Sequence, residues 1–167
     1  IRAYDIFPEA IERLRSHLLG FNIVSMPIEK VMEADIVCTL TTAHAPVVKK
    51  EWLKPGTHIN AIGADAEGKE ELEPAILRMA TVVVDDFRQA VHAGEINVPI
   101  SKGWYRKEEV YATLGDLILG KKKGRIDEKQ LTIFDSTGVA IEDIAVAKLV
   151  YEKAIRQNMG LKVNILE

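Results

Sequence analysis

Thr57-His-Ile-Asn-Ala-Ile-Gly-Ala-Asp-Ala-Glu-Gly-Lys-Glu-Glu-Leu72 decides the reading of this chain: a strand pattern runs into a loop bracketed by two glycines and carrying one acid and one lysine. Ile59, Ala61 and Ile62 form a short buried strand launched by the Pro55-Gly56 turn, and Gly63 and Gly68 let the backbone bend and approach a ligand closely. In an open α/β sheet, ligands bind in loops at the carboxyl ends of strands, so Asp65 and Lys69 are expected to face that crevice. Gly63 to Lys69 also spells G-x-x-x-x-G-K. The likeness to a phosphate-binding loop fails at position 70, where Glu stands in place of the Mg²⁺-binding hydroxyl. Asp65, Glu67, Glu70 and Glu71 would add negative charge around a triphosphate.

Outward from this loop, strand and helix signals alternate. Residues 1–5 read as a strand ending in an acid, 8–20 as a helix opened by Pro8 and closed by Gly20, and 21–25 as a second strand. A short helix over 26–34 precedes an apolar strand over 35–41, which its composition predicts to be buried on both faces. Residues 47–53 read as a connection, 74–78 as a helix and 81–85 as a β-branched strand. Helices are expected over 87–93, 108–119 and 139–157, with strands at 131–135 and 161–165. This alternation argues for an α/β fold, a doubly wound parallel sheet with right-handed crossovers.

A length of 167 residues suits one domain, and a net charge of −3 gives no electrostatic reason to expect a nucleic-acid partner. The one cysteine, Cys38, lies in an apolar run, which points to burial and a reducing compartment. The four histidines are scattered without ligand spacing, so no metal site is expected. No stretch reaches the roughly 18 apolar residues that span a bilayer. A cytoplasmic protein without membrane contact is the expectation.

Four strand ends carry chemistry-bearing side chains. Asp5 stands where an acid would hold an adenosine ribose, or it caps the helix at Pro8. Thr39, Thr41 and Thr42 end another strand, where threonine is also ordinary β-branched filling. Ser136 and Thr137 precede a long helix, whose N-terminal amides favour an anion or a carbonyl oxygen and whose N-cap either residue could supply. Asp65 is a candidate acid/base, or an Asx-turn residue that shapes its own loop.

Ala-Tyr-Asp-Ile (3–6), Gly-Thr-His-Ile-Asn-Ala-Ile-Gly-Ala-Asp (56–65) with Gly-Lys (68–69), Val-Val-Asp-Asp (83–86), Gly-Glu-Ile-Asn-Val (94–98) and Ile-Phe-Asp-Ser-Thr-Gly (133–138) together resemble the C-terminal half of the ornithine cyclodeaminase and mu-crystallin family. The resemblance implies a Rossmann-type NAD-binding domain over 1–158. Its first strand and glycine loop would lie upstream of Ile1, and residues 159–167 would return to a substrate and dimerisation domain. It further implies that Asp5 holds the adenosine ribose and that Thr41, Ile62, Gly63, Ala64, Lys69 and Ser136 contact NAD. Asp65 would act as catalytic acid/base and Thr137 would touch a small amino-acid substrate. The implied protein is a homodimer. Its implied reaction is oxidative deamination of a small L-amino acid such as alanine. Cyclodeamination of ornithine to proline is the alternative, and a non-catalytic ligand-binding role a second one. The family's cyclodeaminases tend to carry Gly-Gly-Asp and Ser-Val where this chain has Gly63-Ala64-Asp65 and Ser136-Thr137, which favours the dehydrogenase.

Overall fold

The computed structural model describes residues 1–161 and 163. Most of the expected strand over 161–165, and most of the segment 159–167, lies outside them. In chain order the elements are β1 (Arg2–Ala3), α1 (Pro8–His17), β2 (Val24–Ser25), α2 (Ile28–Val31), β3 (Ile36–Thr39), β4 (His44–Val48), β5 (His58–Ala61) and β6 (Glu70–Leu72). There follow α3 (Pro74–Met79), β7 (Thr81–Val84), α4 (Phe87–Ala93), α5 (Asn97–Ser101), β8 (Ala112–Thr113), α6 (Leu114–Ile118), β9 (Thr132–Asp135) and α7 (Ala140–Arg156). The chain divides into two compact units, Ile1–Thr137 and Gly138–Glu167.

Five strands form one parallel sheet in the order β3-β5-β9-β7-β8. The late strand β9 enters between β5 and β7, so the residues that follow it emerge between the tips of those two. Because the strands are parallel, the carboxyl ends of β3, β5, β7 and β9 share one edge. Two further parallel pairs, β1-β2 and β4-β6, stand apart from this sheet.

Register explains the core. Val37, Ile59, Ile133 and Val82 pair across the sheet in one row, and all four are buried. Burying each such side chain contributes about 1.5–3 kcal/mol before entropy is counted. Two residues on, in the same facing, Thr39, Ala61, Asp135 and Val84 form the next row. This period of two carries an aspartate into the interior at the sheet's edge. The intervening row, Cys38, Asn60, Phe134 and Val83, takes the other face.

The same parity corrects two expectations. β3 alternates exposed and buried along its length instead of being buried on both faces, and Cys38 is exposed. Residues 47–53 are not merely a connection. Val47 and Val48 end β4, which pairs with β6. The expected helix over 108–119 is a 3-10 turn, a short strand and a five-residue helix. Tyr111 N donates to Val82 O and Ala112 pairs with Val83, so a free sheet edge outcompetes local helical periodicity there.

Between β1 and the outer edge of β3 lies a cavity of about 440 Å³, lined by Arg2, Ala3, Leu14, Met32, Val37 and Thr39 among others. Another, of about 450 Å³, opens at the starts of the strands. There His58 Nδ1 meets Thr132 Oγ1 at 2.8 Å, and Arg125 donates to Gly56 O and Thr132 Oγ1. No helix among the described residues is long and apolar enough to cross a membrane.

Candidate active site

The loop after β5 rises from the shared edge. Ile62 N and Gly63 N both donate to Thr39 O at 3.1 Å, which docks the start of the loop on β3. Gly63 is a glycine for reasons of contact. A Cβ there would lie 2.3 Å from Thr41 O and 2.6 Å from a carboxylate oxygen of Glu71. Gly68, at φ +79°, supplies the left-handed turn that closes the loop. Asn97 at the start of α5 holds that turn: its Oδ1 accepts from Gly68 N at 3.0 Å and its Nδ2 donates to Lys69 O at 2.9 Å.

Asp65 is exposed, Ala64 beside it is buried, and Lys69 Nζ donates to Asp65 Oδ1 at 2.5 Å. That hydrogen bond, reinforced by the lysine's charge, holds the Asp65 carboxyl below the ordinary aspartate range. The residue's own backbone amide also lowers the carboxyl, by less than Lys69 does. Asp65 and Thr137 line one open cleft of about 480 Å³ with Asp86, Arg88, Gln89, His92 and Ala93.

Asp5 and Thr41 line a second cleft, of about 370 Å³, at the tips of β1 and β3. Asp5 Oδ1 accepts from Phe7 N at 2.8 Å. Phe7, not Asp5, is the N-cap of α1, and no side chain caps that helix. Thr41 Oγ1 accepts from Ala43 N at 3.2 Å. Ser136 is buried. Its N donates to Ala61 O at 3.0 Å and its hydroxyl to Asp85 Oδ2 at 3.1 Å. Neither Ser136 nor Thr137 caps α7, whose N-cap is Val139 without a side-chain bond. Thr137 N donates to Asp85 Oδ2 at 2.6 Å, and its hydroxyl lies within reach of Asp85 and of Gln89 Oε1. Asp65 and Thr137 thus share one cleft and Asp5 and Thr41 another, while Ser136 is drawn inward beside Ala61.

Sequence reasoning passed over the acids beneath this edge. Asp85, at the tip of β7, organises residues 136–137. Glu95 and Asp135 are fully buried. Asp135 accepts from Glu95 N at 2.8 Å and Ile96 N at 3.3 Å, and Glu95 accepts from Glu71 N at 3.0 Å and Leu72 N at 2.7 Å. Burial raises the carboxyl of Asp135 to about 7 against the opposing pull of those two amides, and burial likewise raises Glu95 well above the ordinary glutamate range. Gly94 leaves room for Asp135, whose oxygens would lie 2.6 and 2.8 Å from a Cβ there. Val-Val-Asp-Asp and Gly-Glu-Ile-Asn-Val carried the signal. Acids inside apolar strings read as loop charges until their amide partners are seen. Glu70 Oε2 and Thr39 Oγ1 are buried and find no hydrogen-bond partner among the described residues. No group of three or more His, Cys, Asp or Glu among the described residues is placed to hold a metal ion.

Comparison with known proteins finds relatives of the whole chain. The alanine dehydrogenase of Archaeoglobus fulgidus is 48% identical over 165 residues, covering 98% of this chain and 51% of that protein. An archaeal alanine dehydrogenase dimer solved with bound NAD superposes with a TM-score of 0.89 at 48% identity, over 99% of this chain and 52% of that one. The Delta(1)-pyrroline-2-carboxylate reductase of Thermococcus litoralis, solved with NADH and L-proline, gives a TM-score of 0.86 at 34% identity, over 97% and 52% respectively. The chain spans about half the length of the relatives it matches. The ornithine cyclodeaminase/mu-crystallin family matches residues 1–158. On its sequence and on its fold, the chain belongs to that family.

Proposed function

We propose that this chain is the nucleotide-binding part of an NAD-dependent enzyme that oxidatively deaminates a small L-amino acid, alanine being the leading candidate. The observation that carries the reading is Asp65 beside Lys69, in one cleft with Thr137, on the sheet edge where ligands of open α/β folds bind. Residues 1–158 would form the nucleotide-binding domain, and 159–167 would return to the other half of a homodimeric protein. The archaeal relative solved as a dimer supports that assembly.

The residues fit a dinucleotide. Two clefts lie on one edge, with an acid at one and a proton-transfer pair at the other. Gly63 brings its backbone to that edge where a Cβ would collide with Thr41. Asp5 would hold the adenosine ribose, favouring NAD because a carboxylate repels a 2′-phosphate. Thr41, Ile62, Gly63, Ala64, Lys69 and Ser136 would hold the remainder. Bound there, the nicotinamide supplies a hydride acceptor.

A substrate ammonium cannot release hydride from its α-carbon until it loses a proton and frees its nitrogen lone pair. Asp65 is ionised at neutral pH and able to take that proton, although a carboxyl held low by Lys69 is a weak base. Were Lys69 to turn to the cofactor and water to leave the cleft, desolvation would raise the carboxyl toward a useful pKa. Thr137 can accept a hydrogen bond from the substrate, its own hydroxyl hydrogen being committed to Asp85 or Gln89. Water then adds to the substrate iminium, Asp65 relays the protons, and ammonia and a 2-oxo acid leave.

Cyclodeamination shares the first step, but the side-chain amine of ornithine attacks the iminium and the hydride returns. The assay separating them is direct: NADH accumulates with L-alanine in a dehydrogenase, whereas ornithine yields proline and ammonia with no net NADH in a cyclodeaminase. A purely ligand-binding protein would give neither. In the intact protein, Asp65→Asn should reduce turnover by about 10²-fold or more while leaving NAD affinity nearly unchanged. Undiminished turnover in that variant removes Asp65 from the mechanism.

A further inference from the structure

We infer that Glu71 is a positioning residue for the cofactor edge: its fully buried carboxylate ties the tips of β3 and β5 together through the amides of Thr41 and Gly63. The inference rests on the functional reading above, which makes Thr41 and Gly63 cofactor contacts.

One carboxylate serves two strand tips. Thr41 N donates to Glu71 Oε1 at 2.6 Å and Gly63 N to Glu71 Oε2 at 3.1 Å. Both amides lie just past the last paired residues of neighbouring strands, Thr39 and Ala61, and Gly63 N shares its hydrogen between Thr39 O and Glu71, so the carboxylate reinforces the ladder where it ends. No lysine or arginine forms a salt bridge with Glu71 among the described residues, so backbone dipoles compensate the group. A carboxylate is the side chain this geometry requires. It offers an acceptor at both ends, whereas an amide of the same shape would turn an N–H₂ toward one of the two N–H donors.

The carboxylate is anchored from behind. Glu71 N and Leu72 N both donate to Glu95, and Glu95 N donates to Asp135 at the end of β9. Three buried acids therefore link the tips of β9, β3 and β5, and each accepts only backbone amides in these bonds. Gly63 completes the fit, since the space its Cβ would fill lies against Thr41 and Glu71. A loose edge would have to be ordered by the incoming cofactor at a cost in affinity. Glu71 orders it beforehand.

The test is Glu71→Gln in the intact protein, read by hydrogen exchange and by calorimetric titration of NAD. Peptides covering residues 40–45 and 62–66 should exchange faster in the variant, with β7 and β9 still protected. The Kd for NAD should rise about tenfold or more. Saturating NAD orders the tips again, so the loss should fall more heavily on KM for NAD than on kcat. Glu71→Asp keeps the charge but draws it back by one methylene. It should not restore NAD affinity, and it carries the test if the glutamine variant does not fold. Unchanged exchange at the two tips overturns the inference, as does unchanged NAD affinity with the tips loosened. Failure of both variants to fold overturns it in favour of a purely structural acid. A wild-type protein that binds no NAD refutes the functional reading instead, and the exchange comparison still decides whether Glu71 holds the tips.

Discussion

Asp135→Asn should change how stability depends on pH, by an amount the structure sets. Asp135 is fully buried at the end of β9, and its carboxyl is raised from 3.8 to about 7. Between those values the folded protein keeps a proton that the unfolded chain has released, so stability falls as pH rises. At about 1.4 kcal/mol per pH unit, the accumulated loss reaches about 4 kcal/mol above pH 7 and is absent below 3.8. Between pH 5 and pH 8 the wild type should lose about 3 kcal/mol through this one group. The asparagine cannot ionise, but it keeps a single acceptor for two amides. The 3.3 Å bond from Ile96 N is the weaker and the one forfeited, at about 1–3 kcal/mol. The variant should therefore gain on the wild type by about 3 kcal/mol on going from pH 5 to pH 8. Glu95 is raised by burial and titrates in both proteins, adding a slope of the same sign. Urea unfolding of the two proteins at both pH values measures the difference. Parallel pH slopes would mean that Asp135 is not the buried acid responsible.

Other expectations can be checked as directly. Lys69→Met removes the partner that holds the Asp65 carboxyl low, so the acid limb of the kcat/KM profile for the amino acid should move to higher pH. An unmoved limb would assign it to another group. Asn97→Ala frees Gly68 N and leaves Lys69 O without its side-chain donor, while Gly94 O keeps the backbone N–H of residue 97. It should cost about 2–3 kcal/mol of stability and raise KM for NAD, and thermal unfolding with steady-state kinetics reads both.

Much of the framework was legible locally. Thr81–Val84 is a strand because β-branched residues fit a pleated, half-buried surface, and Phe87–Ala93 is a helix whose cap, Asp86, accepts from Arg88 N and Gln89 N. Gly63 and Gly68 already marked the loop that carries Asp65 and Lys69, while the bond between the two emerges only in the folded chain. Helix limits were less legible, with α1 ending at His17 and α2 confined to Ile28–Val31.

By itself the sequence determined the α/β alternation, the parallel sheet it demands, and the gathering of Asp65, Lys69 and Thr137 toward strand ends, because periodicity and turn chemistry act over a few residues. Tertiary structure alone decided that Glu70–Leu72 pairs with β4, that β8 replaces helix over 112–113, and that Cys38 faces outward. It also decided that Glu71, Glu95 and Asp135 are interior groups. A buried carboxylate is tolerable only where amides converge on it, and those amides come from segments 8 to 40 residues away in the chain. No local pattern records that convergence.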